Sequence, residues 1–324
     1  MQVTSNHQED GGVKFGERDD VQFVDIDWAG RRVRIEYQWI NRHLSQAPLL
    51  IFLHEGLGSL AMWKDFPQRL CSAAQCQGLV FSRPGYGRST PRAPDELWQP
   101  DFMHRQAYEV LPSLLDALGL DAQRSRPWLF GHSDGGSIAL LYAAKFPRSV
   151  AGAIVVAPHI FVEELSVASI EKARTAYLET DLPKRLGRYH DHPDSAFWGW
   201  NRIWLDPKFR SWSIEAEIAD IRCPTLAVQG VDDEYGTLEQ IRGIGKRVPS
   251  AELLEIAHCW HSPHRDQSAR LIDATVRFMA AHAGESRALM MGSDAFRESR
   301  TPGAHVGRAA DLPESAVSSQ PEET

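Results

Sequence analysis

The sequence predicts an α/β protein with a mostly parallel central sheet flanked by helices. Short apolar runs alternate with segments of helical spacing along most of the chain. Most of the runs are unbroken, which is typical of strands buried on both faces of a parallel sheet. The chain has 324 residues, of which 43% are hydrophobic and 24% charged, so it is long enough to form a sizeable core.

The first two predicted strands differ from the rest, because apolar and polar residues alternate along them. They are "VQFVDIDW" (21–28) and "RRVRIEYQW" (31–39), and we expect an antiparallel pair. The unbroken runs follow at 49–53, 78–82, 128–130, 151–157, 225–230 and 251–256. Predicted helices separate them at about 60–74, 102–118, 134–146, 236–247 and 266–282. Because strand–helix–strand units of a parallel sheet are right-handed, the expected core is doubly wound.

Residues 160–218 interrupt this alternation, because they contain no convincing strand pattern. "VEELSVASIEKARTAYLE" (162–179) has helical spacing. Four tryptophans follow it: Trp198, Trp200, Trp204 and Trp212. We interpret 160–218 as a helical cap at the carboxyl edge of the sheet, where ligands of open α/β sheets bind. The core is then divided into residues 21–159 and 219–283.

The ends of the chain and its charge exclude several functional classes. Residues 1–20 and 284–324 are polar without a sustained period, so we expect both to be disordered. The N-terminus does not resemble a signal peptide, and no run reaches the roughly 18 apolar residues of a membrane span. The net charge of −8 does not suggest a nucleic-acid partner. We expect a cytoplasmic protein that acts on a small molecule, without a nucleic-acid or membrane partner; a homodimer stays open.

The cysteines and histidines predict neither disulfides nor a metal site. The four cysteines are scattered without a C-x-x-C pair, which favours free thiols in a reducing compartment. Cys259, His261 and His264 are close in sequence, but no second ligand pair elsewhere has metal-like spacing. We therefore expect no metal and no organic cofactor.

The stretch "GHSDG" (131–135) fits the pattern G-x-S-x-G in the context that the pattern requires. An apolar strand precedes it, and an Ala/Leu-rich helix follows. A strand that turns directly into a helix strains the backbone of the serine, and glycine neighbours let the chains pack closely there. We predict that Ser133 is a nucleophile.

A serine nucleophile needs a base, and the base needs an orienting acid. Asp232 and Asp233 come just past one predicted strand, in "QGVDDEYG". His258, His261 and His264 come just past the next, in "LLEIAHCWHSPHRDQ". The order serine, acid, histidine at successive strand ends predicts a Ser-His-Asp triad.

Four motifs together resemble the α/β-hydrolase fold superfamily, in particular its capped single-domain serine hydrolases, which are small esterases, lactonases and carbon–carbon hydrolases. "HEGLGS" (54–59) resembles the oxyanion loop of that family, and "SRPGYGRS" (82–89) resembles its D-x-x-G-x-G-x-S loop. The other two are "GHSDGG" and the pair "QGVDDEYG" and "HSPHRDQ". The resemblance covers about residues 21–282 and implies the α/β-hydrolase fold with a helical cap insertion.

The resemblance also implies individual catalytic roles. Ser133 matches the nucleophile. The family acid commonly lies three residues after the glycine that ends its strand, which is Gly230 here, so Asp233 is the acid and Asp232 the second choice. His261 occupies the position of the base, on the loop ahead of the final helix.

The oxyanion donors implied by the resemblance are the backbone N–H groups of Gly56 and Asp134, with Leu57 as the alternative to Gly56. A carboxylate beside a developing negative charge is unexpected at Asp134. Its side chain either caps the following helix, which is the use we favour, or faces the substrate.

Two positions depart from the pattern of the family. Glu55 replaces a glycine of the oxyanion loop, and Ser82 replaces an aspartate, for which we expect a structural role. Leu57, Trp198 and Trp200 are expected to contact the substrate, because ligand pockets are mostly apolar and aromatic. Glu55 is a fourth candidate for a substrate contact; the alternative, which we favour because acidic residues are mostly exposed, is a surface-facing or structurally hydrogen-bonded side chain.

The first functional hypothesis is a carboxylic-ester hydrolase for a small, partly apolar ester or lactone. The second is carbon–carbon bond hydrolysis of a ring-fission diketone, which the same triad serves. The third is a non-catalytic ligand-binding protein of the same fold, since fold alone does not guarantee function.

Overall fold

The computed structural model describes residues 21–284, so the two ends expected to be disordered lie outside the described residues, apart from Gly284. The strands are β1 (Gln22–Trp28), β2 (Arg31–Ile40), β3 (Leu49–Leu53), β4 (Gln77–Phe81), β5 (Trp128–His132), β6 (Gly152–Val156), β7 (Thr225–Gly230) and β8 (Ala251–Ile256). They form one sheet in the order β1-β2-β4-β3-β5-β6-β7-β8. Strand β2 is antiparallel to both of its neighbours, and all other neighbouring pairs are parallel. The predicted α/β fold class is confirmed.

Helices cover both faces of this sheet. They are α1 (Phe66–Ala74), α2 (Phe102–Arg105), α3 (Leu111–Ala117), α4 (Ala122–Ser125), α5 (Asp134–Lys145), α6 (Glu164–Glu179), α7 (Leu182–Leu186), α8 (Pro193–Trp204), α9 (Glu239–Arg247), α10 (Pro263–Asp266) and α11 (Ser268–Ala281). A π-helical turn joins α2 to α3, so that the helix predicted at 102–118 is one helical segment with an irregular middle. None of the helices within residues 21–284 is long and apolar enough to cross a membrane.

Strand β3 shows why its sequence is apolar without interruption. Successive side chains of a strand point to opposite faces of the sheet. Ile51 belongs to the hydrophobic core that includes Ile138 of α5, whereas Phe52 belongs to the core that includes Phe66 of α1 and Phe278 of α11. Both faces of β3 are therefore buried.

The sheet order creates a crevice at the carboxyl end of β3. The next strand along the chain, β4, lies on one side of β3, whereas β5 lies on the other. The loops after β3 and β5 therefore leave in different directions at a topological switch point, where open α/β sheets bind their ligands. Residues 54–59, which we call the oxyanion loop, follow β3, and Ser133 follows β5.

Glycine allows α5 to begin very close to the end of β3. A Cβ atom added at Gly135 would lie 2.0 Å from the carbonyl oxygen of Leu53 and 2.7 Å from that of His54. A Cβ at Gly131 would lie 2.2 Å from the carbonyl oxygen of Gly135. Both glycines of the pentapeptide are thus required by backbone packing.

The chain between β6 and β7 contains α6, α7 and α8. Within this interval, which the structure describes in full, the extended pairing is limited to one β-bridge between Phe161 and Ser213. Two tryptophans of α8 approach the residues that follow β3 and β5: the Trp200 ring lies against Gly56, and Trp204 contacts Asp134. The division of the chain into core and cap stays a prediction, and α8 is the element that covers the crevice.

Replacing Gly135 by alanine should lower the free energy of unfolding by about 1–3 kcal/mol or more, because the new Cβ would force the backbone of β3 or α5 to shift. Urea unfolding measures the difference. Gly187→Ala is the matched control, since a Cβ there would lie 3.5 Å from its nearest neighbours and φ is −60°. Equal stability of Gly135→Ala and wild type would contradict the close packing of α5 against β3.

Candidate active site

Ser133 occupies a strained turn between β5 and α5. Its φ of 53° and ψ of −121° are unusual for a residue with a side chain. Backbone hydrogen bonds hold it there: its N–H donates to the Val156 carbonyl at 2.9 Å, and its carbonyl accepts from Gly136 N at 2.8 Å. The turn presents the serine at the carboxyl end of the sheet.

Three side chains from distant parts of the chain form one hydrogen-bonded series. The distance from His261 Nε2 to Ser133 Oγ is 3.0 Å. On the other side of the ring, His261 Nδ1 lies 2.9 Å from Asp233 Oδ1 and 3.0 Å from Oδ2. Because an ionised carboxylate can only accept, Nδ1 carries the proton and Nε2 is free to take one from the serine hydroxyl. We call these three residues the candidate triad.

Local hydrogen bonds hold the Asp233 carboxylate in place. Oδ1 accepts from Tyr235 N at 2.8 Å and from Gly236 N at 3.2 Å, and Oδ2 accepts from Gln229 Nε2 at 3.2 Å. Burial tends to raise the pKa of Asp233, but the attraction and hydrogen bond of His261 outweigh it, so the pKa is lowered. The carboxylate is therefore ionised at neutral pH.

The pKa of His261 moves in the opposite direction. Burial tends to lower it, but the charge of Asp233 and the hydrogen bond between the two outweigh burial and raise the pKa from its ordinary value of 6.5. The ring of Tyr235 covers the imidazole, with its centroid 4.8 Å from that of His261. The imidazole thus lies in a site that stabilises its protonated form, as general-base chemistry requires.

The structure does not bring the alternative acid and bases to Ser133 in the same way. Asp232 and His258 are exposed. His264 is buried against the rings of Trp63 and Phe66, and burial holds its pKa well below the ordinary value.

Within residues 21–284, no group of three or more His, Cys, Asp or Glu side chains could hold a metal ion.

The side chain of Asp134 does not cap α5, which corrects our expectation. It is fully buried, and its Oδ1 accepts a hydrogen bond from Trp204 Nε1 at 3.2 Å. Its Oδ2 makes no hydrogen bond and lies 3.9 Å from Arg83 Nη2. Helix α8 covers the start of α5 and excludes water there, so the carboxylate faces an indole and a guanidinium instead of backbone N–H groups. Burial is the main cause that raises the pKa of Asp134 to about 6.

Glu55 lies at the edge of the site with partners in the protein. Its Oε2 is 3.5 Å from Nδ1 of the buried His132, and its Oε1 is 3.7 Å from Arg265 Nη2. His132 in turn contacts the backbone carbonyl of His261 through Nε2 at 2.8 Å. Burial tends to raise the pKa of Glu55, but the partnership with His132 outweighs it and holds the pKa well below the ordinary value. Glu55 thereby connects the oxyanion loop to the loop that carries His261.

Two of the expected substrate contacts, Trp198 and Trp200, lie on different sides of α8. They are two residues apart, which is about 200° around a helix. Trp200 is buried against Gly56, whereas Trp198 lines an outer groove with Arg92 and Arg202. The structure therefore brings Trp200 to the oxyanion loop and places Trp198 away from it. Leu57, the third apolar candidate, is half-buried in the oxyanion loop, where its carbonyl bonds to His190 Nε2 at 3.0 Å.

Ser82 makes structural contacts, which agrees with the role expected for it. Its hydroxyl accepts from Leu60 N at 2.8 Å and donates to the carboxylate of Glu36. Glu36 is buried, and burial raises its pKa. The Glu36 carboxylate of β2 therefore lies next to the Ser82 hydroxyl, at the position where the family pattern has an aspartate.

Sequence reasoning did not predict the contacts that two buried residues make beside the candidate triad. His132 was present inside the pentapeptide, and Arg83 was present in "SRPGYGRS". No local sequence pattern indicates these contacts, because the partners are distant in the sequence. His132 contacts the Glu55 carboxylate and the His261 carbonyl, and Arg83 contacts the Glu55 carbonyl and the Asp134 carboxylate.

Comparisons with known proteins agree with this architecture. The profile of the Alpha/beta hydrolase family matches residues 50–274. The chain is similar to a 2-hydroxy-6-oxo-6-phenylhexa-2,4-dienoate hydrolase of Burkholderia cepacia, with 21% identity over 262 residues that cover 72% of this chain and 88% of that protein.

Two solved structures illustrate the likeness in three dimensions. A thermophilic esterase from Thermogutta terrifontis is 17% identical with a TM-score of 0.60, over 81% of this chain and 99% of that chain. The enol-lactonase from Burkholderia xenovorans LB400 is 19% identical with a TM-score of 0.59, over 76% of this chain and 97% of that chain. At these identities the likeness shows a shared fold.

The raised pKa of Asp134 predicts a pH-dependent cost of stability. Between the ordinary value of 3.8 and about 6, the folded state binds more protons than the unfolded state, so stability falls as pH rises through this window. Asp134→Asn removes this titration. The free energy of unfolding of wild type relative to Asp134→Asn should therefore fall by about 2 kcal/mol between pH 4 and pH 7.

Urea unfolding at several pH values measures this difference, and Asp232→Asn serves as the control because that side chain is exposed. A difference between wild type and Asp134→Asn that is constant across the window would contradict the expected titration.

Proposed function

The chain belongs to the alpha/beta hydrolase family, and from that premise we propose that it is a serine hydrolase that cleaves carboxylic esters through an acyl-enzyme. The single observation that carries the proposal is the hydrogen-bonded series from Ser133 Oγ through His261 to Asp233, with distances of 3.0 Å and 2.9 Å. A hydroxyl, an imidazole and a carboxylate in this order are the groups that acyl transfer requires.

In the proposed mechanism, Ser133 Oγ attacks the carbonyl carbon while His261 Nε2 takes its proton. Asp233 keeps the proton of the imidazole on Nδ1 and stabilises the imidazolium. The backbone N–H groups of Gly56 and Asp134 stabilise the oxyanion of the tetrahedral intermediate. His261 then gives its proton to the departing alcohol. Water, activated by the same imidazole, hydrolyses the acyl-enzyme and restores the serine.

The surroundings of Gly56 support a small, partly apolar ester or lactone as the substrate. The Trp200 ring lies against Gly56, and Leu57 is half-buried beside it. We assign Trp200 and Leu57 to apolar contact with the substrate and Glu55 to the polar margin of the site. The mechanism uses residues of the chain and water, and it calls for no cofactor.

A second candidate is hydrolysis of a carbon–carbon bond in a ring-fission diketone. It is favoured by the similarity to the Burkholderia cepacia hydrolase, which aligns over 72% of this chain. The same serine, histidine and aspartate would act on a ketone in place of an ester. A vinylogous diketone absorbs visible light, so loss of its colour at a rate above that of p-nitrophenyl esters would favour this candidate.

Ser133→Ala should reduce kcat on p-nitrophenyl acetate and butyrate by about 10⁴–10⁶-fold, because no other group replaces the nucleophile. Ser72→Ala, at an exposed serine of α1, is the matched control and should keep wild-type turnover. Undiminished turnover by Ser133→Ala would contradict the proposal. Failure of a fluorophosphonate to label wild-type protein would instead favour a non-catalytic binding protein.

Asp233→Asn should lower kcat by about 10³–10⁴-fold, because the imidazole loses the partner that selects its tautomer.

Since neutral His261 is the active form, activity rises with pH through its raised pKa. Without the charge of Asp233, this acid limb of kcat/KM should move to lower pH. The pH–rate profile measures the shift, and Asp232→Asn, one residue away and exposed, should retain the wild-type limb. An unchanged limb in Asp233→Asn would reject Asp233 as the partner of His261.

A further inference from the structure

The carbonyl oxygen of Glu55, in the oxyanion loop, is surrounded by hydrogen-bond donors. Arg83 Nη2 lies 2.9 Å from it, and Gly58 N donates to it at 3.0 Å. His54 Nδ1 is a third neighbour at 2.8 Å. One of the three donors carries a full positive charge, and hydrogen bonds of that kind are about twice as strong as those between neutral groups.

The tautomer of His54 follows from its second contact. The backbone N–H of Arg83 donates to His54 Nε2 at 3.0 Å, so Nε2 is the acceptor. Burial, and secondarily the charge of Arg83, hold the pKa of His54 well below its ordinary value, so the ring is neutral. Its one proton is therefore on Nδ1, which donates to the Glu55 carbonyl. The side chain of Arg83 thus acts on this carbonyl directly, whereas its backbone N–H acts through His54 and is kept by any residue other than proline at this position.

The Glu55 carbonyl and the Gly56 N–H belong to one peptide unit. In a planar trans peptide the two groups point in opposite directions, so a carbonyl held towards Arg83 turns the Gly56 N–H away from it. Donors on the carbonyl oxygen also withdraw electrons from the amide and make its N–H a stronger donor, since linked hydrogen bonds strengthen one another. The Gly56 N–H is the group assigned above to the oxyanion.

Arg83 is held tightly in this position. Its side chain is 1% exposed, and its guanidinium lies 4.6 Å from the ring centroid of Tyr86. Nη2 is the nitrogen that bonds to Glu55, and it is also 3.9 Å from Asp134 Oδ2. Nε and Nη1 have no hydrogen-bond partner among the described residues. The polar contacts of the guanidinium are therefore directed to the two stretches that carry the oxyanion donors.

We propose that Arg83 is a positioning residue of the oxyanion hole, which fixes the orientation of the Glu55–Gly56 peptide and strengthens its N–H as a donor to the negative oxygen. The inference rests on the proposed serine-hydrolase function. It adds a residue outside the candidate triad whose effect is confined to states that carry an oxyanion.

Arg83→Met tests the role, because it removes the charge and the donors while keeping a long apolar side chain. We expect kcat on p-nitrophenyl butyrate to fall by about 10–100-fold, which is less than the 10²–10³-fold loss on deleting an oxyanion donor. KM should change less than about threefold. Arg88→Met, at an exposed arginine of the same loop, is the matched control and should keep wild-type kinetics.

Two inhibitors separate this role from general damage to the site. Ser133 Oγ adds to the carbonyl carbon of a trifluoromethyl ketone, and the tetrahedral adduct carries an oxyanion. The affinity of this inhibitor should therefore fall by the same factor as kcat. The methyl ketone with the same skeleton binds without a stable oxyanion, and its affinity should not change. Equal losses for both ketones would indicate a structural role and overturn the proposal.

Arg83→Lys decides the question if Arg83→Met does not fold. Lysine keeps the charge beside Asp134, but its single nitrogen cannot reproduce the geometry of the guanidinium at Glu55. The role would be supported if kcat and the affinity for the trifluoromethyl ketone each fell by at least about fivefold while the affinity for the methyl ketone stayed the same. Wild-type values in a folded Arg83 variant, with wild-type protein labelled by a fluorophosphonate, would reject the role of Arg83 only. Absence of both labelling and ester turnover in wild type would reject the proposed function and this role together.

Discussion

The close approach of α5 to the end of β3 is the constraint on which the rest of the site depends. Gly135 leaves no room for a side chain, with 2.0 Å between a Cβ there and the Leu53 carbonyl oxygen. This contact sets Ser133 beside the oxyanion loop, because the loop begins where β3 ends. A looser contact would move the Ser133 hydroxyl away from the oxyanion loop. For the proposed acyl transfer, misplacement of a reacting group by about 1 Å can cost 10²-fold in rate.

Three buried or half-buried carboxylates surround this point, and their partners give them different states. Asp233 has two backbone N–H groups and an imidazole, and its pKa is lowered. Asp134 has an indole and a guanidinium beyond hydrogen-bond distance, and its pKa is raised to about 6. Glu55 faces His132 and Arg265. Environment, more than residue type, separates the two carboxylates whose pKa is lowered, Asp233 and Glu55, from Asp134, whose pKa is raised.

The segments that carry Glu55, Asp134 and His261 are linked to one another through buried side chains, and not only through the sheet. His132 joins the Glu55 carboxylate to the backbone of His261, and Arg83 joins the Glu55 carbonyl to the side chain of Asp134. Helix α8 makes two further contacts, because Trp200 packs against Gly56 and Trp204 donates a hydrogen bond to Asp134. A small shift of the oxyanion loop would therefore also displace His261 and the start of α5, because buried networks of this kind are strongly coupled.

The sequence by itself determined the order of strands and helices, the turn at Ser133 and the serine–acid–histidine order, since periodicity and turn chemistry are local properties of the chain. Only the tertiary structure decided that His261 and not His258 lies at 3.0 Å from the serine, that Trp200 and not Trp198 faces the oxyanion loop, and that Asp134 does not cap its helix. Each of these outcomes depends on groups 70 or more positions away, as for Trp204 and Asp134 (70) and His261 and Ser133 (128). Contacts at such separations are set by strand order and by the path of α8, which no local pattern records.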